Sequence, residues 1–442
     1  MPTPAAAPPP EDIAPQTYRK VSRRLIPLLF CCYIVAYLDR VNVGFAKLQM
    51  SADLGFSDVV YGTGAGIFFL GYFLFEVPSN IILSRIGARL WIARIMVTWG
   101  LISAGMMFVG NAHAFYTLRL LLGVAEAGFF PGIILYLTYW YPQQYRARMV
   151  AWFMTAVPLA GVLGGPLSGW ILDTMQGRAG LAGWQWLFVI EGLLPVLLGI
   201  WVFFRLDDGP AHAHWLSPTE KALLLDRLHA EEADPHHALH PGTGAWDGLR
   251  SPRVWLLAAI YFCMVMGLYG ISFWLPQIIK ESLTSNNLRI GLLSAIPWTT
   301  AAVAMVLHGA HSDRSGERRR HVALACLTAA GAFAVSALPG VGGWGGFLAL
   351  TVAAAGIMAA LSSFWTLPTA LLRGSAAAAG IAWINSLGNL AGYVSPELVG
   401  LLRDKAGHAM APALALMAAS LLLAALLTLV ATSPPERRWG EH

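Results

Sequence analysis

Long apolar runs separated by short polar links fill this chain, and the run length is the informative quantity. A helix needs roughly 20 apolar residues to cross about 30 Å of hydrocarbon. Runs of that length cover 24–46, 59–82, 90–110, 113–140, 148–173 and 184–204, then 254–279, 289–310, 321–339, 344–370, 376–402 and 409–431. The one long polar stretch, Leu206 to Arg253, divides them six and six. The pattern predicts an all-α membrane protein of twelve transmembrane helices in two pseudo-symmetric six-helix bundles. Proline and glycine interruptions are tolerable in that setting, because neighbouring helices can satisfy freed backbone groups.

The expected organisation is a disordered tail over 1–18, a bundle over 19–205, a central loop over 206–252, a second bundle over 253–432 and a tail over 433–442. Met1 to Gln16 is rich in proline and alanine, which predicts disorder. The first apolar run follows Arg19, Lys20, Arg23 and Arg24, but it is too long for a signal-peptide core and is read as a retained span. In the central loop, Ser217-Pro218-Thr219-Glu220 has the form of a capping box with proline at the first helical position. Leu223, Leu224 and Leu228 then give one apolar face, predicting a short amphipathic helix on the membrane surface.

Composition agrees with a chain solvated by lipid. Hydrophobic residues make up 57% and charged residues 12%, with a mean hydropathy of +0.59, more apolar surface than a soluble fold can hide. The net charge of +5 is not gathered into a nucleic-acid-binding patch. Instead, Arg85, Arg89, Arg94, Arg146, Arg148, Arg314, Arg318, Arg319, Arg320, Arg373, Arg437 and Arg438 join the N-terminal four on one side. Only Lys47, Arg178, Lys280, Arg289, Arg403 and Lys405 fall on the other. That bias predicts both termini in the cytoplasm of a bacterial cell, in the inner membrane. Cys31, Cys32, Cys263 and Cys326 lie in apolar runs without metal-ligand spacing and are read as small buried residues. The histidines of the central loop (His212, His214, His229, His236, His237 and His240) are read as part of a solvated linker, and no metal or cofactor is expected.

Charge inside the spans points to function. Asp39-Arg40 interrupts the first run, and Arg119 and Glu126 interrupt the fourth. An ionisable residue at that depth costs at least ~2.5 kcal/mol on insertion scales, so it faces a partner or a wet cavity. Seven residues apart, Arg119 and Glu126 project from one helix face, which suits a pair. Asp39 and Arg40 diverge by about 100° and serve different neighbours. Guanidinium at depth suits a carboxylate, bound bidentately at any working pH. A protonatable acid beside it is what moving an organic anion with a proton requires. In the expected scheme Glu126 holds its proton while substrate occupies Arg119. Glu76, one turn beyond Tyr72, is read as structural, paired with Arg85 or Arg89. Tyr269, Trp274, Gln277, Trp298, Ser362, Ser363 and Trp365 are candidate cavity liners of the second half, which shows no certain buried charge. The glycines Gly62, Gly64 and Gly66, and Gly161, Gly164, Gly165 and Gly169, read as close-approach positions between helices.

The halves repeat. Ser84-Arg85-Ile86-Gly87-Ala88-Arg89 after the second run matches Asp313-Arg314-Ser315-Gly316-Glu317-Arg318 after the eighth, and Gly165-Pro166 matches Ser395-Pro396 at the same offset to within one residue. Gly309 with the segment from His311 to Arg319 resembles the loop signature of the major facilitator superfamily; the first-half copy departs from it at Ser84 and Asn80. Tyr37 to Asn42, Gly71-Tyr72-Phe73 with Glu76 to Asn80, Arg119 to Gly128 with Pro131-Gly132, and Asn385 to Asn389 resemble the anion:cation symporters of that superfamily. The resemblance implies a secondary transporter of a small organic acid (a sugar acid, a hydroxy diacid or an aromatic carboxylate). It implies that Arg40 and Arg119 neighbour the anion, that Asp39 and Glu126 handle the proton, and that Tyr72 and Asn389 contact substrate. It also implies a gating role for Arg85, Arg89, Asp313 and Arg314. Import by proton symport through rocking of the two halves is the expectation, with one bundle pair sufficient as a monomer. Two rivals stay open: an exporter or a sodium- or potential-driven carrier, and an anion-binding sensor. No nucleophile, phosphate-loop or zinc-protease signature suggests an enzyme.

Overall fold

The computed structural model describes residues 10–142, 145, 149, 153–233, 251–371 and 375–431. Arg146, Arg148, Arg373, Arg437, Arg438, His236, His237 and His240 lie outside them. The first half comprises α1 (Pro10–Leu54), α2 (Asp58–Ile86), α3 (Ala88–Gly105), α4 (Ala112–Glu126), α5 (Phe129–Thr138), α6 (Ala156–Thr174) and α7 (Gly183–Arg205). The surface helix α8 (Pro218–Ala233) leads to the second half. That half comprises α9 (Pro252–Ser282), α10 (Asn287–Ser315), α11 (Arg319–Ser336), α12 (Gly343–Phe364), α13 (Thr366–Leu371), α14 (Ser375–Lys405) and α15 (Ala411–Val430).

Ten stretches among the described residues are long and apolar enough to cross a membrane. The less apolar α11 and α14 complete the twelve-span fold. Four expectations need correction. The helix α1 begins at Pro10, so 10–16 is helical rather than part of a disordered tail. The fourth span is two helices, α4 and α5, broken at Ala127-Gly128. The tenth is likewise broken, at Trp365 between α12 and α13. Cys31, read as buried, is exposed on the helix surface, while the other three cysteines are buried.

The halves meet along α2 against α14, α6 against α10 and α1 against α9. Glycine sets the approach of the second pair. A Cβ on Gly165 would lie 2.6 Å from the Gly291 carbonyl oxygen, and one on Gly291 would lie 2.2 Å from the Gly165 oxygen. At α2 against α14, a Cβ on Gly62 would come within 2.3 Å of the Pro396 oxygen. The internal repeat is also visible in the backbone: α2 and α10 both end at a positive-φ glycine, Gly87 (φ 94°) and Gly316 (φ 67°).

The central helix forms as its sequence predicts. The Ser217 hydroxyl accepts from the Glu220 N–H (3.2 Å), and the Glu220 carboxylate accepts from the Ser217 N–H (2.7 Å). Buried Leu223 and Leu224 face the bundle, and Lys20 of α1 pairs with Glu220 at 2.8 Å. Partial burial pushes the Glu220 carboxyl up, but the Lys20 ammonium and the capping N–H outweigh it and hold it below the usual range. Its contribution to docking is therefore present above its unfolded value of about 4.3 and is lost as pH falls through the lower folded value. Ser217→Ala should weaken α8 by about 1 kcal/mol, read as faster amide exchange over residues 220–230 with no change in the spans.

Candidate functional site

The side of the bundle that carries Ile86 and Ser315, with α8, is here the loop side; the other is the far side. Near mid-depth, Arg40 of α1 forms a buried ion pair through Nη2 with the Oε1 oxygen of Glu126, the last residue of α4. Its Nη1 donates to the Tyr269 hydroxyl of α9 at 3.4 Å, so this guanidinium touches both halves. Four rings surround it: Tyr37, Phe68 and Tyr72 each at 5.3 Å and Phe69 at 5.9 Å from its central carbon. Phe69 also packs on Tyr269, with ring centroids 4.5 Å apart. Aromatic faces attract the cation while excluding water, so the Arg40–Glu126 attraction acts at low dielectric.

The break in the fourth span places Glu126 here. Gly128 has φ 84°, a left-handed conformation, and a Cβ there would lie 2.4 Å from the Ser79 hydroxyl of α2. No other residue fits that turn without moving α2. A helix interrupted at a buried charge, with its free backbone groups enclosed by protein, is the form that membrane binding sites take.

Arg119 sits elsewhere than its pattern suggested. It is fully buried, and it donates through Nε to the Gly64 carbonyl and through Nη2 to the Ala65 carbonyl, both at 3.1 Å. Glu126 is thus paired with Arg40 rather than with Arg119. The helical spacing was read correctly, but the guanidinium of Arg119 turns to the backbone of α2, which approaches α4 closely: a Cβ on Gly123 would lie 1.9 Å from the Phe68 oxygen. Asp39, as expected, serves other neighbours: Ser103 of α3 donates to its Oδ1, and Asn42 donates to the same atom at 3.1 Å.

Arg40, Glu126, Tyr72 and Tyr269 therefore come together, and the other candidates do not join them. The Ser362 hydroxyl donates to the Ala359 carbonyl (2.8 Å) and lies beside Gly309 of α10. Trp365 packs edge-on to Tyr261 at 4.9 Å, and the same Tyr261 fills the notch at Gly388 on α14, next to half-buried Asn389. Glu76 forms no ion pair with Arg85 or Arg89 among the described residues. It lines a cavity of about 330 Å³ with Asn80, Ser84, Pro131, Leu135 and Ser386, on the loop side of Arg40. That volume is within the range of small-molecule sites. A second cavity, of about 20 Å³ between Tyr37, Val41, Gly161, Ser272 and Trp298, is large enough only for water.

The loop motifs close on themselves. Asp313 pairs with Arg318 at 2.5 Å within the second-half loop. Arg85 and Arg314 are exposed, and the Arg89 N–H donates to Asp208 (2.8 Å).

Two features escaped the sequence reading. On the far side, Arg403 of α14 is 1% exposed, so the second half does contain a buried charge. It donates from Nε to Asp58 (3.0 Å) and from Nη2 to Glu281 of α9 (2.7 Å). Asp58, the first residue of α2, also pairs with Lys47 of α1 (2.6 Å) and His408 (2.9 Å). Four elements from both halves are fastened there. Arg403 sits in the last turn of α14 and Lys47 beyond the apolar run of α1, which continues to Leu54, so sequence alone places both in loops. The second feature is Glu191, fully buried on α7; its position within the apolar run 184–204 is the same signal that selected Glu126.

A twelve-helix bundle with a charged pair buried between its halves defines a membrane carrier. The chain matches the Major Facilitator Superfamily model over residues 29–396 and belongs to that family. It is 48% identical over 432 residues to a putative tartrate transporter of Agrobacterium vitis, covering 97% of this chain and 98% of that one. It is 47% identical over 412 residues to the putative metabolite transport protein NicT of Pseudomonas putida, covering 93% of each. Among solved structures, the inward-open xylose transporter XylE of Escherichia coli superposes with a TM-score of 0.73 at 14% identity, over 95% of this chain and 97% of that one. The chain is a multi-pass transporter, not an enzyme.

Proposed function

We propose that this transporter imports a small organic acid of the tartrate class as its carboxylate, together with protons, across a bacterial inner membrane. The observation that carries this reading is the Arg40–Glu126 pair, enclosed in aromatic rings and touching Tyr269 of the opposite half. An arriving carboxylate competes with Glu126 for the Arg40 fork. Displaced from Arg40, Glu126 is a buried acid without a cation, and taking up a proton neutralises it. Substrate and proton then load together, and neither alone leaves the site neutral. The name of the tartrate relative supports a hydroxy diacid, and the single site in one chain needs no second copy.

Basic residues gather on the loop side, which is the cytoplasmic side in this reading. The far side, fastened by Arg403 and Asp58, is then outside, and the 330 Å³ cavity at Glu76 opens inward. Anion entry against an inside-negative potential costs about 2.3 kcal/mol per charge per 100 mV, which one co-moving proton cancels for a monoanion.

The test is uptake of tartrate and a panel of sugar and aromatic acids into proteoliposomes, with and without an inward proton gradient. Wild type should show gradient-stimulated uptake of at least one acid. In Glu126→Gln the ratio of uptake with and without the gradient should fall to about one. Stimulation that persists in Glu126→Gln would sink the competition scheme. Uptake indifferent to the proton gradient would favour a sodium- or potential-driven carrier, and no uptake at all would favour export or sensing.

A further inference from the structure

The first half holds a second acidic cluster, on the far side of Arg40. Glu191 of α7 accepts from the Ser168 hydroxyl of α6 through Oε1 at 2.7 Å. Asn42 of α1 lies against Glu191 and donates to Asp39, which Ser103 of α3 also contacts. Spans one, three, five and six thus contribute to one polar string, whose members Asp39, Asn42, Ser103, Ser168 and Glu191 are all at most 1% exposed.

That string is short of hydrogen. Its donors are the Ser103 and Ser168 hydroxyls and the Asn42 amide, which donates to Asp39 Oδ1 and also reaches Glu191. Asp39 Oδ2 and Asn42 Oδ1 accept no hydrogen bond, and Glu191 Oε2 has at most the second Asn42 N–H. Buried polar atoms are almost always satisfied, and an ionised carboxylate can only accept. No cation pairs with either acid among the described residues. Of the helices packed against α7, α1 presents Asp39, with Arg40 committed to Glu126. The α3 helix presents Arg94, which stacks on Trp91, and α6 presents only exposed Asp173. Arg119 acts on Asp39 from a distance while donating to the α2 carbonyls, and no cation acts on Glu191, so a second negative charge beside Asp39 would be costly in so dry a place. A proton on each carboxyl group supplies the missing donors.

We propose that Glu191 is a proton-binding site of the transport cycle, loaded from the far side and acting with Asp39, so that a second proton accompanies the one taken by Glu126. The inference rests on the symport reading above. The step is a simple protonation: Glu191 carboxylate gains a proton on one side of the membrane and releases it on the other, with no other bond changed. Asp39, the residue before Arg40, connects this cluster to the substrate pair.

The experiment compares wild type with Glu191→Gln, which retains an acceptor for Ser168. Proteoliposomes are clamped at zero potential with a pH gradient of one unit, and accumulation of the acid found to be transported is measured at equilibrium. Each coupled proton multiplies accumulation by about ten per pH unit, so Glu191→Gln should accumulate about tenfold less than wild type. Equal accumulation overturns the proposal and leaves Glu191 as a pin between α6 and α7. If Glu191→Gln accumulates nothing, infrared difference spectra of the purified proteins decide. A substrate-induced change in the carboxylic-acid stretch present in wild type and absent in Glu191→Gln supports the proposal, and identical spectra overturn it. Wild type without any proton coupling is a separate failure, of the symport reading itself, and removes this inference with it.

Discussion

Arg40→Ala is expected to abolish uptake, by roughly 100-fold or more, while leaving the protein folded. The variant removes the one guanidinium that touches Glu126 and both halves of the bundle. Breaking a buried ion pair by deleting one partner costs about 3–5 kcal/mol when the other stays charged. Glu126 escapes that penalty by taking a proton, so the loss should appear in substrate affinity rather than in thermal stability. Arg40→Lys keeps the charge but not the planar fork, and it should recover only part of the binding. Arg119→Ala should show the opposite profile. Arg119 holds two α2 carbonyls, and its removal leaves a fully enclosed gap between α2 and α4. Its main readout should be a lower melting temperature in detergent, with substrate affinity affected less than in Arg40→Ala. Equal affinity losses in the two variants would return Arg119 to the binding site.

The contrast between the two arginines marks how far the sequence is legible. Apolar runs of membrane length announce the twelve spans, and the capping residues Ser217 and Glu220 announce α8, because each signal is local and strong. Depth is legible too: Asp39, Arg40, Arg119 and Glu126 are all deeply buried, as their positions in apolar runs require. Partnership is not legible, since which buried cation meets Glu126 depends on how α1 and α4 are rotated against each other. The break at Gly128 is hidden for a related reason: a glycine in a membrane helix is more often a packing notch than a turn. Arg403 was misplaced because a charge within a turn of a span's end reads the same whether it faces water or folds back between helices.

Arg403→Ala is expected to shift the transporter toward a conformation open on the far side. In this structure the two halves are joined there by Arg403 and His408 to Asp58, by the Val59 N–H to Asp404 (3.3 Å) and by Lys280 to the Leu48 carbonyl (2.6 Å), beneath which the Tyr61 hydroxyl donates to the Phe273 carbonyl (2.8 Å). Arg403 is central because it binds Asp58 of the first half and Glu281 of its own half at once. Lys47 would still neutralise Asp58, so the fold of the first half should survive. The closed state alone loses this buried cross-link, the weaker contacts of Lys280, Tyr61 and His408 remaining. Every 1.4 kcal/mol removed from that state changes its population ratio by about tenfold, and loss of a buried arginine pair exceeds that. A cysteine in place of Ser294, buried where α10 meets Gly165 of α6, in a background with Cys31, Cys32, Cys263 and Cys326 replaced, reports the change: a bulky membrane-impermeant thiol reagent added from outside should modify it faster in the Arg403→Ala background, by at least tenfold. Net uptake should fall as well, because a carrier held open on one side cannot return. Unchanged labelling would show that the glycine-packed backbones of α2 with α14 and α6 with α10 hold the far side shut without the ionic network.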